Sequence, residues 1–457
     1  MSGKLGRALD ALFDHYVFVL LILAQAALVQ FGVANALSTG MVGILLCAAG
    51  LGLRRSARVD LWIAVPMAAY LALGMASAYM TFGNTVQGYP STHVIFFAIY
   101  FIMACMNGGE LRLLKRLNAL WAGGAAAVSL GMFLLQALSG TAGRLGGLLR
   151  NPNALGIFLA VGWFAITACL EEDGEEDALN RALRRAEPLV LAALAMTLSM
   201  GSFLAMAAGI LALLLEKKRR ASWQEVFGYG FVVLAKASLC FAAGILMYVT
   251  ARQTRIPWFC LFLLAWLLAL AASWGTFERF LRTYRWAAMG LSGGGIAVAA
   301  AAVAIRPSAL ATFAERIEMM ENGLGYLLFH PVLGLGPDQW REWNLYDGDK
   351  YFGTWHIHNF LIHIGVELGL IAMAMLVIVI VRHFRKTGAP GAAAFLVHNL
   401  MDTSFFYCGI TSLTLVSAGE PQKGGRTLGI AATRAVFVLL AAHFAWCCVY
   451  MAYHYFL

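Results

Sequence analysis

The chain has 457 residues, of which 61% are hydrophobic and 12% charged, with a mean hydropathy of +0.74 and a formal net charge of +9. A soluble domain is nearer 45–50% apolar and about 25% charged. Composition therefore excludes a soluble globular protein, a nucleic-acid-binding module and a disordered tail, and points to a polytopic membrane protein.

Fourteen apolar segments of crossing length follow in chain order: 17–35, 37–53, 60–80, 93–107, 117–139, 153–170, 187–200, 202–216, 226–250, 257–276, 286–305, 360–381, 390–417 and 430–453. The pair 187–200 and 202–216 is short enough to read also as one kinked helix, which makes the range 12–14. The first run begins near Tyr16 without an A-x-A-like cleavage site and reads as a retained signal anchor. The expected fold is thus an all-α polytopic membrane protein of about 14 (12–14) transmembrane helices with one long external loop. It divides into an N-terminal transmembrane bundle (1–305), the external loop (306–359) and C-terminal transmembrane helices (360–457), forming one integrated membrane domain.

Lysines and arginines orient the spans. With Lys4 and Arg7 in the cytoplasm, alternate loops hold Arg54, Arg55 and Arg58, then Arg181, Arg184 and Arg185, then Arg279, Arg282 and Arg285, among others. The count is 21 basic residues inside and ten outside, with Lys236 and Arg434 within spans, and it puts both termini in the cytoplasm. Lys236 and Arg434 read as ion-pair or snorkelling residues. The acidic stretch Glu171–Asp177 reads as a solvated cytoplasmic linker. All eight cysteines sit in apolar runs with no C-x-x-C spacing and read as packing residues.

Polar chemistry collects outside. The loop 306–359 is far longer than its neighbours and holds Arg316, His330, His356 and His358. Within it, 312–329 has apolar residues at helical spacing and is expected to form an amphipathic helix along the membrane surface. A second outer loop, 140–153, sets Arg144 and Arg150 beside glycine-rich backbone and ends in Asn-Pro-Asn. These two arginines run against the charge rule. Their rigid forks suit phosphate oxygens, of a substrate or of lipid headgroups. Inside spans, His363 and Glu367, and His398 and Asp402, stand at i, i+4 on a helical face. Such pairs mark chemistry or a plain helix-to-helix hydrogen bond.

The residues Arg316, His330-Pro331, Gly334 and Gly336 are followed by His356-Ile357-His358-Asn359-Phe360-Leu361 and Glu367-Leu368-Gly369. With Gly143-Arg144-Leu145, Asn151-Pro152-Asn153 and His398-Asn399-Leu400-Met401-Asp402, this pattern resembles the O-antigen ligase and polymerase superfamily of bacterial membrane glycosyltransferases. One position departs: the family commonly has Ser-Arg-Gly where this chain reads Ser199-Met200-Gly201, so another arginine, Arg252 or Arg255, is expected to replace it.

The resemblance implies a GT-C-like architecture in the bacterial cytoplasmic membrane, with the active site facing the periplasm or cell exterior. It implies transfer of a glycan from an undecaprenyl-diphosphate carrier to lipid A core or to another lipid-linked glycan, with membrane lipid as the surroundings and no cofactor. On it, His358 is the base, Arg316, Arg150 and Arg144 bind the diphosphate, Asn359 orients the loop end and His330 is a further substrate contact. A base opposite the leaving group implies inversion, and arginines in place of a metal imply a metal-independent reaction. Two rivals are a metal pair at His356 and His358, which lacks a third ligand at convincing spacing, and a transporter or flippase, which predicts midplane polar groups and an internal repeat. Neither ligase nor polymerase is selected by the residues.

Overall fold

The structure is a computed structural model that describes residues 16–30, 35–172, 177–254, 256–304, 309–346, 350–384, 389–420 and 425–456. Lys4, Arg7, Asp173, Glu175, Glu176, Arg255, Arg306, Asp347, Asp349, Arg385 and Lys386 lie outside the described residues.

The described chain is helical, apart from loops and one two-stranded antiparallel ladder between Ala57–Val59 and Arg426–Leu428. Twelve of the expected spans coincide with a helix, from Tyr16–Gln30 to Ile430–Phe456. The doubtful pair is two helices, Ala178–Met196 and Met200–Lys218, parted at Leu198, whose φ of 47° no helix continues. Helix starts follow local chemistry: Asp60 caps Leu61–Phe82, and Ser222 with Glu225 forms a capping box on Trp223–Val249. By length and composition, eight described helices can cross a membrane, or nine if the pair bent by 70° at Ser273 is one span. The count of fourteen draws also on shorter helices such as Pro90–Ala104.

Three expected spans are interrupted, 360–381 by a non-helical residue at Gly369. The run 257–276 bends at Ser273, and 390–417 is two short helices, Ala389–Asn399 (11 residues) and Cys408–Ser417 (10 residues). At about 1.5 Å per residue, neither reaches across roughly 30 Å of hydrocarbon. The ladder shows the consequence. Segments 57–59 and 426–428 were expected on opposite sides of the membrane, yet they hydrogen-bond to each other.

The last helix agrees. Gly40, Gly43 and Gly50 of Ala36–Leu53 face Cys448, Phe444 and Phe437 in reverse order, so Ile430–Phe456 runs antiparallel to it. Small residues permit this close approach. Tyr16 meets Gly52, so the first described helix begins on the side where the last one does not end. Among the described residues, Tyr16 and Phe456 therefore lie toward opposite ends of Ala36–Leu53, against the expectation of both termini on one side. Arg426 joins Arg54, Arg55 and Arg58, moving from the minority to the majority side of the charge count.

The chain forms two compact units. The first comprises Met1–Leu114, Ile317–Thr387 and Phe405–Leu457; the second comprises Lys115–Arg316 and Gly388–Ser404. In the first, Met319, Tyr326, Leu327, Trp340, Phe352, Ile357 and Val366 pack together as one core. The expected amphipathic segment is the helix Ala309–Phe329.

Candidate active site

In the second unit the polar residues gather at the turn 197–201. Arg144 Nε donates to the Thr197 carbonyl at 2.9 Å and its Nη2 to Asn153 Oδ1 at 2.9 Å. The carbonyl needs this donor because the helix ends there and leaves it without an intrahelical partner. Ser199 caps the next helix, accepting from Ser202 N at 3.3 Å. A Cβ added at Gly201 would lie 3.5 Å from the His398 ring and 4.0 Å from Arg316 Nη1, so the absence of a side chain there leaves room for both.

Arg316 bonds through Nη2 to Asp402 Oδ2 at 3.0 Å and through Nη1 to the Met401 carbonyl. Both side chains are nearly buried, and Arg316 Nε has no acceptor among the described residues. The expected His398–Asp402 pair along one helical face is not formed that way. The helix stops at Asn399, Met401 N turns back to the His398 carbonyl, and Asp402 pairs with Arg316 while His398 Nδ1 meets Ser404 Oγ at 3.3 Å.

Arg144 and Arg316 thus meet the same turn. Arg150, six residues along, is exposed, makes no ion pair among the described residues, and ends a short 3-10 turn with φ 54°. Met200, in the place of the family arginine, packs against the buried cluster of Ala195, Leu198 and Ile245 instead. Arg252 stands exposed in the π-helical end of its helix, and Arg255 lies outside the described residues.

In the first unit the loop end is built around a broken helix. Phe360–Phe384 is interrupted at Gly369 (φ 83°, ψ 169°). The break frees carbonyls, and the H-P-x-x-G-x-G segment takes them: Leu335 N donates to Val366 O at 2.8 Å and Gly336 N to Glu367 O at 2.9 Å. In return, Leu370 N donates to Pro331 O at 2.8 Å. Gly334 and Gly369 both have positive φ, and a Cβ on either would run into the opposing backbone. The buried carboxylate of Glu367 completes the clip, accepting from Asp338 N at 2.8 Å and Trp340 N at 3.1 Å, with His363 Nε2 at 3.3 Å.

The two histidines of His-x-His differ. His356 stacks on Phe406 at 4.3 Å and lies edge-on to His363 at 4.9 Å. Burial, then the neighbouring rings of His363 and His358, holds its pKa well below the ordinary histidine range. His358 is half-buried and immediately precedes Asn359, whose Oδ1 accepts from Leu361 N and Ile362 N, both at 3.1 Å. Asn359 is therefore the cap of Phe360–Phe384, and His358 is not. His330 is exposed, edge-on to Trp343 at 5.5 Å. Asp338, in the same loop, is pushed up to about 7 by burial and by the nearby Glu367 carboxylate. Among the described residues, no three His, Cys, Asp or Glu side chains are grouped to hold a metal ion.

A family model described as O-antigen ligase matches residues 189–377. Over those residues the chain is similar to the O-antigen ligase family. The matched segment holds the 197–201 turn, Arg316, the H-P-x-x-G-x-G clip, His358, Asn359 and Glu367, while Arg144, Arg150 and Asp402 fall outside it. The match supports an O-antigen ligase-type function in general, a glycosyltransferase-like reaction in a multi-pass membrane protein. No curated protein matches the chain.

Three relationships escaped the sequence reading. Asp402 as the partner of Arg316 had no local signal, since 86 residues separate them. Tyr89 and Phe406 pack on His356 and His363 from remote segments. Glu367 showed as half of an i, i+4 pair, but its larger task is to hold the 338–340 backbone.

Proposed function

We propose that this O-antigen ligase-type protein transfers a glycan from an undecaprenyl-diphosphate carrier to a hydroxyl of lipid A core or of another lipid-linked glycan, at the outer face of the bacterial cytoplasmic membrane. The observation that carries the reading is the 197–201 turn, where Arg316 and Arg144 meet the start of helix Met200–Lys218. Helix N-termini and guanidinium groups both favour phosphate oxygens. Arg316 Nε offers a buried donor to such an oxygen, and exposed Arg150 supplies a third cation.

In the reaction, the acceptor oxygen bonds to the anomeric carbon as its proton passes to His358. The bond from the anomeric carbon to the phosphate oxygen breaks on the opposite face, so configuration inverts. The diphosphate keeps the electron pair, and the arginines stabilise that charge without a metal. Asn359, by capping the helix, sets the backbone that carries His358. Exposed His330 and Trp343 offer an edge and a ring to the glycan. His358 suits a base better than His356, whose ring is stacked on Phe406 and lies edge-on to His363.

The test is His358→Ala in a reconstituted assay with a lipid-linked donor. Loss of a base costs about 10²–10⁴-fold in rate, and the variant should insert and bind donor normally. Near-normal transfer would remove His358 as the base, and transfer abolished by chelator would bring back the metal reading.

A further inference from the structure

The second unit has another polar site, at the far end of the helix that stops at Thr197. Arg184 and Arg185 lie near the start of Ala178–Met196, about 13 residues or roughly 20 Å from the turn. There a cleft of about 470 Å³ opens, within the usual range of about 300–1,000 Å³ for small-molecule sites. Six cationic side chains line it against three carboxylates.

The carboxylates are all engaged. Glu187 pairs with Lys236 at 2.7 Å and accepts from the indoles of Trp163 and Trp274 at 3.1 and 2.7 Å. Glu278 holds Arg184 at 3.1 Å and Arg282 at 2.6 Å, and Glu171 faces Lys217 at 3.7 Å. Arg185 and Arg279 are exposed and make no ion pair among the described residues; Arg279 reaches only the Thr276 hydroxyl, at 3.3 Å.

A groove of about 790 Å³ adjoins the cleft, sharing Tyr229, Val232 and Arg282 with it. Its lining is mostly apolar, with exposed Trp223, Phe227, Phe231 and Met289, and carries Lys217, Glu225 and Arg285 as well. A cationic cleft opening into an apolar groove matches an amphiphile with an anionic head. We propose that cleft and groove together bind an anionic, phosphate-bearing membrane lipid. Arg185 and Arg279 take the headgroup and the groove takes a hydrocarbon chain. The arginines sit in helical segments that the charge rule puts in the cytoplasm, where basic pockets between helices meet anionic headgroups. A free phosphate has no use for the groove. This site is separate from the 197–201 turn and does not depend on the reaction proposed there.

The full chain, delipidated in uncharged detergent, is titrated with phosphatidylglycerol, phosphatidylcholine or inorganic phosphate, and bound lipid is counted by native mass spectrometry. Phosphatidylglycerol should bind in preference to phosphatidylcholine. Arg185→Gln with Arg279→Gln should weaken it at least tenfold, which is about 1.4 kcal/mol. Phe227→Asn should weaken it through the groove alone. Both arginines are exposed and make no ion pair, so melting of the double variant should match the parent. Unchanged affinity in the double variant, equal binding of phosphatidylcholine, or displacement of lipid by an equal concentration of inorganic phosphate would each overturn the proposal.

Discussion

At Gly369 a helix breaks and resumes; at Leu198 one helix stops and another begins. Both interruptions strand backbone carbonyls, which must find donors. At Gly369 the donors are backbone amides of the 331–336 segment, and the joint is closed by neutral hydrogen bonds and the Glu367 carboxylate. At Leu198 the donor is the guanidinium of Arg144, with Arg316 against Gly201. The first joint is a clasp that holds the 331–340 segment against the broken helix. The second concentrates positive charge, which gives it a reason to meet an anion. Glycine marks the first and arginine the second, so substitutions at the two should fail differently.

The largest effect is expected at the charged joint. Arg316→Lys should lower transfer by about 10²–10³-fold, the usual loss when a transition-state charge partner is removed, because an ammonium cannot serve Asp402, the Met401 carbonyl and a phosphate at once. Arg316→Met should also destabilise the protein by about 3–5 kcal/mol, since it leaves the buried Asp402 charge unpaired. Adding Asp402→Asn should restore melting in detergent but not transfer. If transfer returned with stability, Arg316 would be structural, and the contrast between the joints would disappear.

At the neutral joint, Gly369→Ala forces a side chain onto a glycine-only backbone conformation, for about 1–3 kcal/mol, and onto the Val332 carbonyl. Lower melting should accompany it, with donor binding retained. Gly353→Ala, with nothing within 4 Å of its added Cβ, is the control and should change little.

The smallest effect is a pH dependence within the clasp. Asp338 is raised to about 7 in the fold against roughly 3.9 in an unfolded chain. Its protonated form is therefore favoured by folding. That contribution is full below about pH 4, falls as pH rises through 7, and is flat above. Hydrogen exchange of residues 334–340 should speed up over that window, and Asp338→Asn should flatten the profile. A profile unchanged by Asp338→Asn would assign the titration elsewhere.

Much of the helix inventory was legible in the sequence, because apolar runs of crossing length need no partner to be recognised. The asymmetry of arginines, the glycines of H-P-x-x-G-x-G and the histidines at the loop end were legible for the same reason: each is a local pattern. Tertiary structure decided what they bond to. Asp402 looked like the partner of His398, four residues away, until the helix ended at Asn399 and turned its carboxylate to Arg316. The 390–417 run looked like a crossing because hydropathy does not register a break of backbone direction. Only the ladder between 57–59 and 426–428 showed that the chain had returned to the same side. Hydrophobicity acts along the chain and can be summed from it, whereas hydrogen bonds and ion pairs are contacts between distant segments and exist only once those segments have met.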